Sequence, residues 1–181
     1  MEVQNSRAWI EYRGHVLMVI SNYKKAIMIK NEDNKDNKDN KKEKSILVQS
    51  INIPGGAVSI YDNNDECTAL RELFEETYDT KKGSMLPFKY SDIHWSGSLV
   101  GMNRDHKFIM KIHKYRLNAM NISLKKRKFN NKETCGLVWI PLSKLITSAM
   151  KDSLVSHSGQ KYFLNVFAKE AIVISSYVPQ D

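Results

Sequence analysis

The chain has 181 residues, 41% hydrophobic and 9% aromatic, enough for one domain with a real core. Twenty-eight Lys and Arg residues against 20 Asp and Glu leave a net charge of +8, which favours anionic partners without specifying a fold. Two cysteines, Cys67 and Cys135, exclude a disulfide framework, and no apolar run approaches the roughly 20 residues of a membrane span.

The start, Met1 to Asn5, lacks the basic and apolar regions of a signal peptide, so a reducing, cytoplasmic (intracellular) setting without membrane attachment is expected. The pattern does not specify an oligomeric state. Ala8 to Arg13 and His15 to Ile20 have strand length, with Gly14 bending the chain between them. Lys25 to Lys30 predicts another short strand. Residues 31–45 are almost entirely Asn, Asp, Lys and Glu, and predict a flexible loop because nothing there offsets the entropy of ordering. Ile46 to Ile53 reads as a strand that stops at Pro54-Gly55-Gly56.

From Asn64 to Tyr78 the period becomes helical, with Cys67, Leu70, Leu73, Phe74 and Thr77 expected on the inward stripe. Asp92 to Met102 and Lys107 to Leu117 predict strands, the second turning Phe108, Met110 and Ile112 to one side and Lys107 and Lys111 to the other. Leu137 to Ile140 predicts a short buried strand, and Pro141 opens a helix to about Met150. A C-terminal helix is expected at about 159–174, with Phe163, Leu164, Phe167 and Ala171 inward. This order predicts one domain over residues 1–181, of the α/β (α+β) class with strands and helices in packed layers.

Glu72, Glu75 and Glu76 stand at i, i+3 and i+4, so one helix face carries three carboxylates about a turn apart. Like charges so placed repel unless a cation compensates, and carboxylate oxygens suit Mg²⁺ or Mn²⁺. Arg71, four residues before Glu75, is positioned to hold that carboxylate. A solvated acidic helix face is the bland alternative for a Glu-Glu pair by itself. The histidines show no metal spacing, and Phe88, Tyr90 and Trp95 are read as core aromatics in preference to a base-stacking set.

Taken with Pro54-Gly55-Gly56 upstream, Arg71-Glu72-Leu73-Phe74-Glu75-Glu76 resembles the Nudix hydrolase family, whose box runs G-x5-E-x7-R-E-U-x-E-E-x-G-U with U a bulky apolar residue. Gly56 matches the first glycine, and Asp62 stands at the first glutamate. Eight residues instead of seven lead to Arg71, and Tyr78 and Asp79 replace the final Gly and apolar residue. Trp139-Ile140-Pro141-Leu142-Ser143-Lys144-Leu145 is similar to the family's downstream strand-to-helix segment, so the resemblance covers about residues 8–150. It implies a Nudix-like α/β/α sandwich with a mixed β-sheet.

The resemblance also implies a pyrophosphohydrolase holding Mg²⁺ or Mn²⁺ on Glu72, Glu75, Glu76 and the Gly55 carbonyl, with Arg71 orienting a glutamate. Glu133, the only acid between Asp105 and Asp152, lies where relatives often carry a further metal-reaching glutamate, and Glu75 or Glu133 is the expected general base. Between Arg104 and Lys132 there are ten Lys/Arg residues and one acid, a block that attracts polyanions unless it only solvates a face. Lys107, Lys111, Lys125, Lys126 and Arg127 from this block, with Gly56, are assigned to substrate. The leading substrate is a nucleoside diphosphate linked to another group, with capped RNA as the case the basic block favours. Inositol pyrophosphates, dinucleoside polyphosphates and damaged nucleoside triphosphates are the other enzymatic options, and a non-catalytic RNA-binding module is the option from another class.

Overall fold

The computed structural model describes residues 2–30, 41–103 and 108–176. In chain order its elements are β1 (Asn5–Tyr12), β2 (His15–Lys30), β3 (Lys41–Asn52), β4 (Gly55–Ala57), α1 (Asp65–Glu76), β5 (Tyr78–Asp79) and β6 (Gly83–Ser84). They continue as β7 (Ile93–Asn103), β8 (Phe108–Leu117), β9 (Arg127–Lys128), β10 (Gly136–Pro141), α2 (Leu142–Ala149), β11 (Leu154–His157), β12 (Gln160–Leu164) and α3 (Val166–Ser176). No helix among the described residues is long and apolar enough to cross a membrane.

The main sheet runs β11-β12-β3-β2-β1-β8-β7, with β10 branching onto β2 and β4 onto β1. The β1·β8 and β12·β3 pairs are parallel and the remaining pairs antiparallel, so the sheet is mixed. Arg13 (φ 47°) and Gly14 (φ 72°) make the tight turn between β1 and β2, where two positive φ values match the twist of a hairpin.

Strand alternation sorts the core into two clusters, one on each face. Ala8, Ile10, Leu17, Leu137 and Trp139 join Ala69 and Leu73 of α1 on one side. Trp9, Val16, Met18, Met110, Ile112, Val138 and Ile140 pack with Leu145 of α2 and Ala171 and Ile172 of α3 on the other. The result is an α/β/α sandwich, the expected class, because strands buried on both faces need a helical layer over each.

Three local expectations change. The strand expected at Lys25 to Lys30 is the far half of β2, and residues 41–45 of the expected loop lie in β3, whose backbone pairs with it from Lys30↔Lys41 to Val19↔Asn52. The remainder of that loop, residues 31–40, lies outside the described residues. The helix expected at about 159–174 begins only at Val166, since Ser158 (φ 50°) and Gly159 (φ 76°) turn β11 back into β12. Asn165 Oδ1 then accepts the Phe167 N–H at 2.9 Å and starts the helix.

The third change is the rotation of α1. Thr68, Ala69, Leu73 and Glu76 are its buried residues, Cys67 and Leu70 are half-buried, and Phe74 is 39% exposed. The inward stripe therefore starts one residue later than the apolar pattern indicates and carries a carboxylate at its end.

Candidate active site

Both ends of α1 are fastened before any chemistry is considered. At its start Asn64 Oδ1 accepts the Cys67 N–H at 2.8 Å, and Asp65 and Glu66 in the first turn suit the positive end of the helix dipole. The α1-facing residues of β8 then grip those acids: His113 Nε2 lies 2.9 Å from Asp65 Oδ1, Lys111 Nζ 3.3 Å from Asp65 Oδ2, and the Tyr115 hydroxyl donates to Glu66 at 3.0 Å. At its end, Asn131 Nδ2 donates to the Glu75 and Tyr78 carbonyls, and Thr134 donates to the Glu76 carbonyl at 2.6 Å. These bonds satisfy carbonyls that a helix end leaves open, and they draw the 131–134 loop up to the glutamates.

Glu76 is buried, and its Oε1 accepts the Gly55 N–H at 2.8 Å. Burial pushes its carboxyl up to about 8; the Gly55 bond and the charge of Arg7 oppose the shift, while Glu72 and Glu133 add to it. Glu72 lies against Gly56, where an added Cβ would sit 2.6 Å from its Oε1. Its carboxyl is also raised, by burial first and then by the negative charges of Glu75 and Glu133, against the pull of Arg71. Glu75 is more exposed and binds Arg71 Nη1 at 3.1 Å. Glu133 lines the same cleft of about 360 Å³ as Glu75, with Phe74, Tyr78, Thr80 and Asn131. Thus the four sequence-assigned glutamates gather at one end of the helix.

Arg71 makes a two-toothed contact with Asp62, Nε to Oδ1 at 3.1 Å and Nη2 to Oδ2 at 3.2 Å, and also reaches Glu75 and Glu72. Thr68 donates to Asp62 at 2.7 Å, and these bonds hold the Asp62 carboxyl below its usual range. Asp62 therefore anchors Arg71, whose guanidinium spans that anchor and the carboxylates of Glu72 and Glu75.

Arg7 was outside the sequence assignment. It is 4% exposed beneath the site, donating to Asn5 Oδ1 and the Ile53 carbonyl at 2.8 Å each, with its guanidinium 4.7 Å over the Phe167 ring. Burial lowers its pKa to about 10 while the charges of Glu76 and Glu72 oppose that shift, so it serves as a fixed cation for them. A signal existed, since Arg7 is the only cation in the strand Asn5 to Tyr12. The strand was started one residue too late to include it.

Among the described residues no three His, Cys, Asp or Glu side chains already surround one point. The chemistry of the donor set nevertheless fits a hard divalent ion: carboxylate oxygens in excess, with Glu72 and Glu76 held above their ordinary range by burial and by neighbouring carboxylates.

The basic block does not act as a unit. Lys111 is paired with Asp65, Arg127 donates to the Met85 carbonyl at 3.1 Å, and Lys114 lies 5.0 Å over the Trp9 ring, so these cations are engaged within the fold. Lys111 and Arg127 of the expected substrate set thus already have partners within the fold, and Gly56 lies against Glu72. Arg104 and Lys107 lie outside the described residues. Lys125 is exposed, and Lys126 lines a separate cavity. Of the expected core aromatics, Phe88 packs edge-on to Trp139, whereas Tyr90 is 47% and Trp95 55% exposed.

No family model and no curated protein sequence matches the chain. Solved structures are similar to it at low identity. An ADP-ribose pyrophosphatase from Streptococcus suis shares 15% identity over 98% of this chain and 92% of that one, with a TM-score of 0.47. A NUDIX hydrolase from Alicyclobacillus acidocaldarius shares 11% identity over 97% of this chain and 92% of that one, with a TM-score of 0.44. A UDP-X diphosphatase shares 17% identity over 79% of this chain, with a TM-score of 0.43, and the matched part spans about half (52%) of its length.

Proposed function

We propose that the chain is a Nudix-type pyrophosphohydrolase that cleaves the pyrophosphate of a nucleoside diphosphate linked to another group, with capped RNA as the substrate. The observation that carries this reading is the gathering of Glu72, Glu75, Glu76 and Glu133 at the end of α1 beside Gly55 and Gly56, over the buried cation Arg7. Glu72, Glu75 and Glu76, with the Gly55 carbonyl, would hold Mg²⁺ or Mn²⁺. When bound, the cation supplies charge neutralisation for the phosphate oxygens and a more acidic water. Glu75 and Glu133, which both line the cleft, are the candidates to take the proton from that water. Arg71, anchored by Asp62, keeps Glu75 and Glu72 oriented.

The test is a panel of ADP-ribose, dinucleoside polyphosphates, inositol pyrophosphates, damaged nucleoside triphosphates and cap-labelled RNA, each with Mg²⁺ or Mn²⁺ and read by mass spectrometry. Release of m7GDP from cap-labelled RNA is expected, with loss of turnover and retained binding in Glu75→Gln. Activity on free nucleotides without m7GDP release overturns the capped-RNA assignment. No turnover on any member, with RNA still bound, would make the chain a binding module.

A further inference from the structure

A second cavity, of about 440 Å³, lies behind the carboxylate cleft, and its chemistry is the reverse: Lys81, Lys82, Lys126 and Lys128 line it. The two spaces share a wall in which neighbouring residues face opposite ways, Thr80 and Asn131 toward the cleft, Asp79 and Asn130 toward the lysines. Among the described residues Asp79 is the one carboxylate lining the cavity, and the charge of Lys82 acts on it. Its Oδ1 accepts the backbone N–H groups of Lys81 and Lys82 at 2.8 Å each, and its Oδ2 accepts that of Asn130 at 2.9 Å, so it is spent on tying the lysine-bearing segments together. Among the described residues none of the four lysines pairs with a carboxylate, and Lys126 Nζ sits 5.4 Å over the Tyr162 ring. The Gln49 side chain also lines the cavity, and its Oε1 is buried with no partner.

Four lysines against the single carboxylate of Asp79 leave the cavity net positive, and a ligand with several negative charges relieves the repulsion among them. They come from two separate segments, 81–82 and 126–128, and lysine reads charge without base-specific geometry. Exposed Lys125 carries the positive surface on from Lys126. A ligand that occupies the cleft and also reaches this cavity, past residues 79–80 and 130–131 that separate them, is long, phosphate-bearing and bound independently of sequence.

We propose that the Lys81/Lys82/Lys126/Lys128 cavity binds consecutive phosphates of a single RNA strand whose 5′ end enters the carboxylate cleft. This rests on the pyrophosphohydrolase reading for the position of the 5′ end, but the binding itself requires no turnover.

The experiment follows a fluorescein-labelled, uncapped 12-nucleotide RNA by anisotropy across a salt series, without divalent metal. In the variant with Lys81, Lys82, Lys126 and Lys128 all changed to Gln, affinity should fall at least tenfold and the log–log salt slope should decrease by about 3, near the 0.7 per contact known for single strands. The matching Lys→Arg variant keeps the charge and should bind within threefold of the parent. A control with Lys89, Lys151, Lys161 and Lys169 changed to Gln has the same net charge as the cavity variant and should leave affinity unchanged. If the fourfold Gln variant fails to fold, the Lys81→Gln/Lys82→Gln and Lys126→Gln/Lys128→Gln pairs are read instead, each weakening binding at least threefold. Unchanged affinity in the cavity variants, or an equal loss in the control, overturns the proposal. Lysine-dependent binding of inorganic tripolyphosphate that RNA fails to displace also overturns it, in favour of a small polyphosphate. Absence of hydrolysis in the substrate panel refutes the enzymatic reading and leaves this binding result legible by itself.

Discussion

Glu76 Oε1 accepts the backbone N–H of Gly55 at 2.8 Å, so the last turn of α1 and the bend after β3 are held as one piece. That bond places a buried carboxylate beside the two glycines the sequence singles out, and it brings the backbone at Gly55 up to the glutamates.

Gly55 is therefore the position where a methyl group does most harm to the fold. A Cβ there would lie 2.4 Å from the Ser6 carbonyl and 2.8 Å from the Arg7 Cα, and neither backbone group can swing aside. Gly55→Ala should cost about 2 kcal/mol of stability, in the range of overpacked sites. Urea denaturation checks it: the midpoint should fall without a change in slope, and an unchanged midpoint rejects the close-packed bend.

Gly56 carries a different cost. The added Cβ would meet Glu72 Oε1 at 2.6 Å, and that is the free end of a side chain. Gly56→Ala should thus fold with a melting temperature within a few degrees of the parent, while Glu72 is pushed from its place and kcat drops about a hundredfold, the scale of a misplaced catalytic group. A variant that loses stability and activity in proportion would show that Gly56 serves packing alone.

Arg71 tests positioning. Its guanidinium spans Asp62, Glu75 and Glu72, a set of contacts that the single ammonium of lysine cannot reproduce. Arg71→Lys should lower kcat about tenfold with KM little changed, and should leave stability within about 1 kcal/mol because the pairs are partly exposed. Asp62→Asn should weaken the anchor and lower kcat in the same direction. An effect confined to KM would mean that Arg71 contacts substrate instead.

These sites differ in how much of them the sequence reveals. Alternation in β1, β2 and β10 is local, so the strands and their two buried faces are legible from period alone. The rotation of α1 is not, because the apolar Phe74 points outward to stack on Tyr90 at 6.2 Å while Thr68 turns inward to hold Asp62. A stripe read by hydrophobicity follows the phenylalanine. The C-terminal hairpin is hidden because Phe163, Leu164 and Phe167 fall at helical spacing, and the Ser158-Gly159 turn is what returns the chain as a strand first. Glu72, Glu75 and Glu76 were visible as a spacing, whereas Arg7 reaches them only through the β1·β4 pairing, in which Arg7 faces Gly55. The basic block does not reveal its internal pairing, because linear proximity does not show that Lys111 pairs with Asp65.

The pH dependence of stability provides the last test, through Glu76. Burial raises its carboxyl from 4.5 to about 8, so the fold favours the protonated form. The associated stability is complete below pH 4.5 and is lost as pH rises through 8, because the unfolded chain releases this proton earlier. Melting temperature should accordingly decline between pH 5 and pH 8.5 more steeply in the parent than in Glu76→Gln, which carries no titrating group there. The proposed metal site adds a second sign: a divalent cation favours the ionised carboxylate, so millimolar Mg²⁺ should recover the parent's melting temperature at pH 8.5 and do little at pH 5. Glu76→Gln should respond weakly at both. Equal Mg²⁺ effects in the two proteins would remove Glu76 from the metal-binding set while leaving its bond to Gly55 intact.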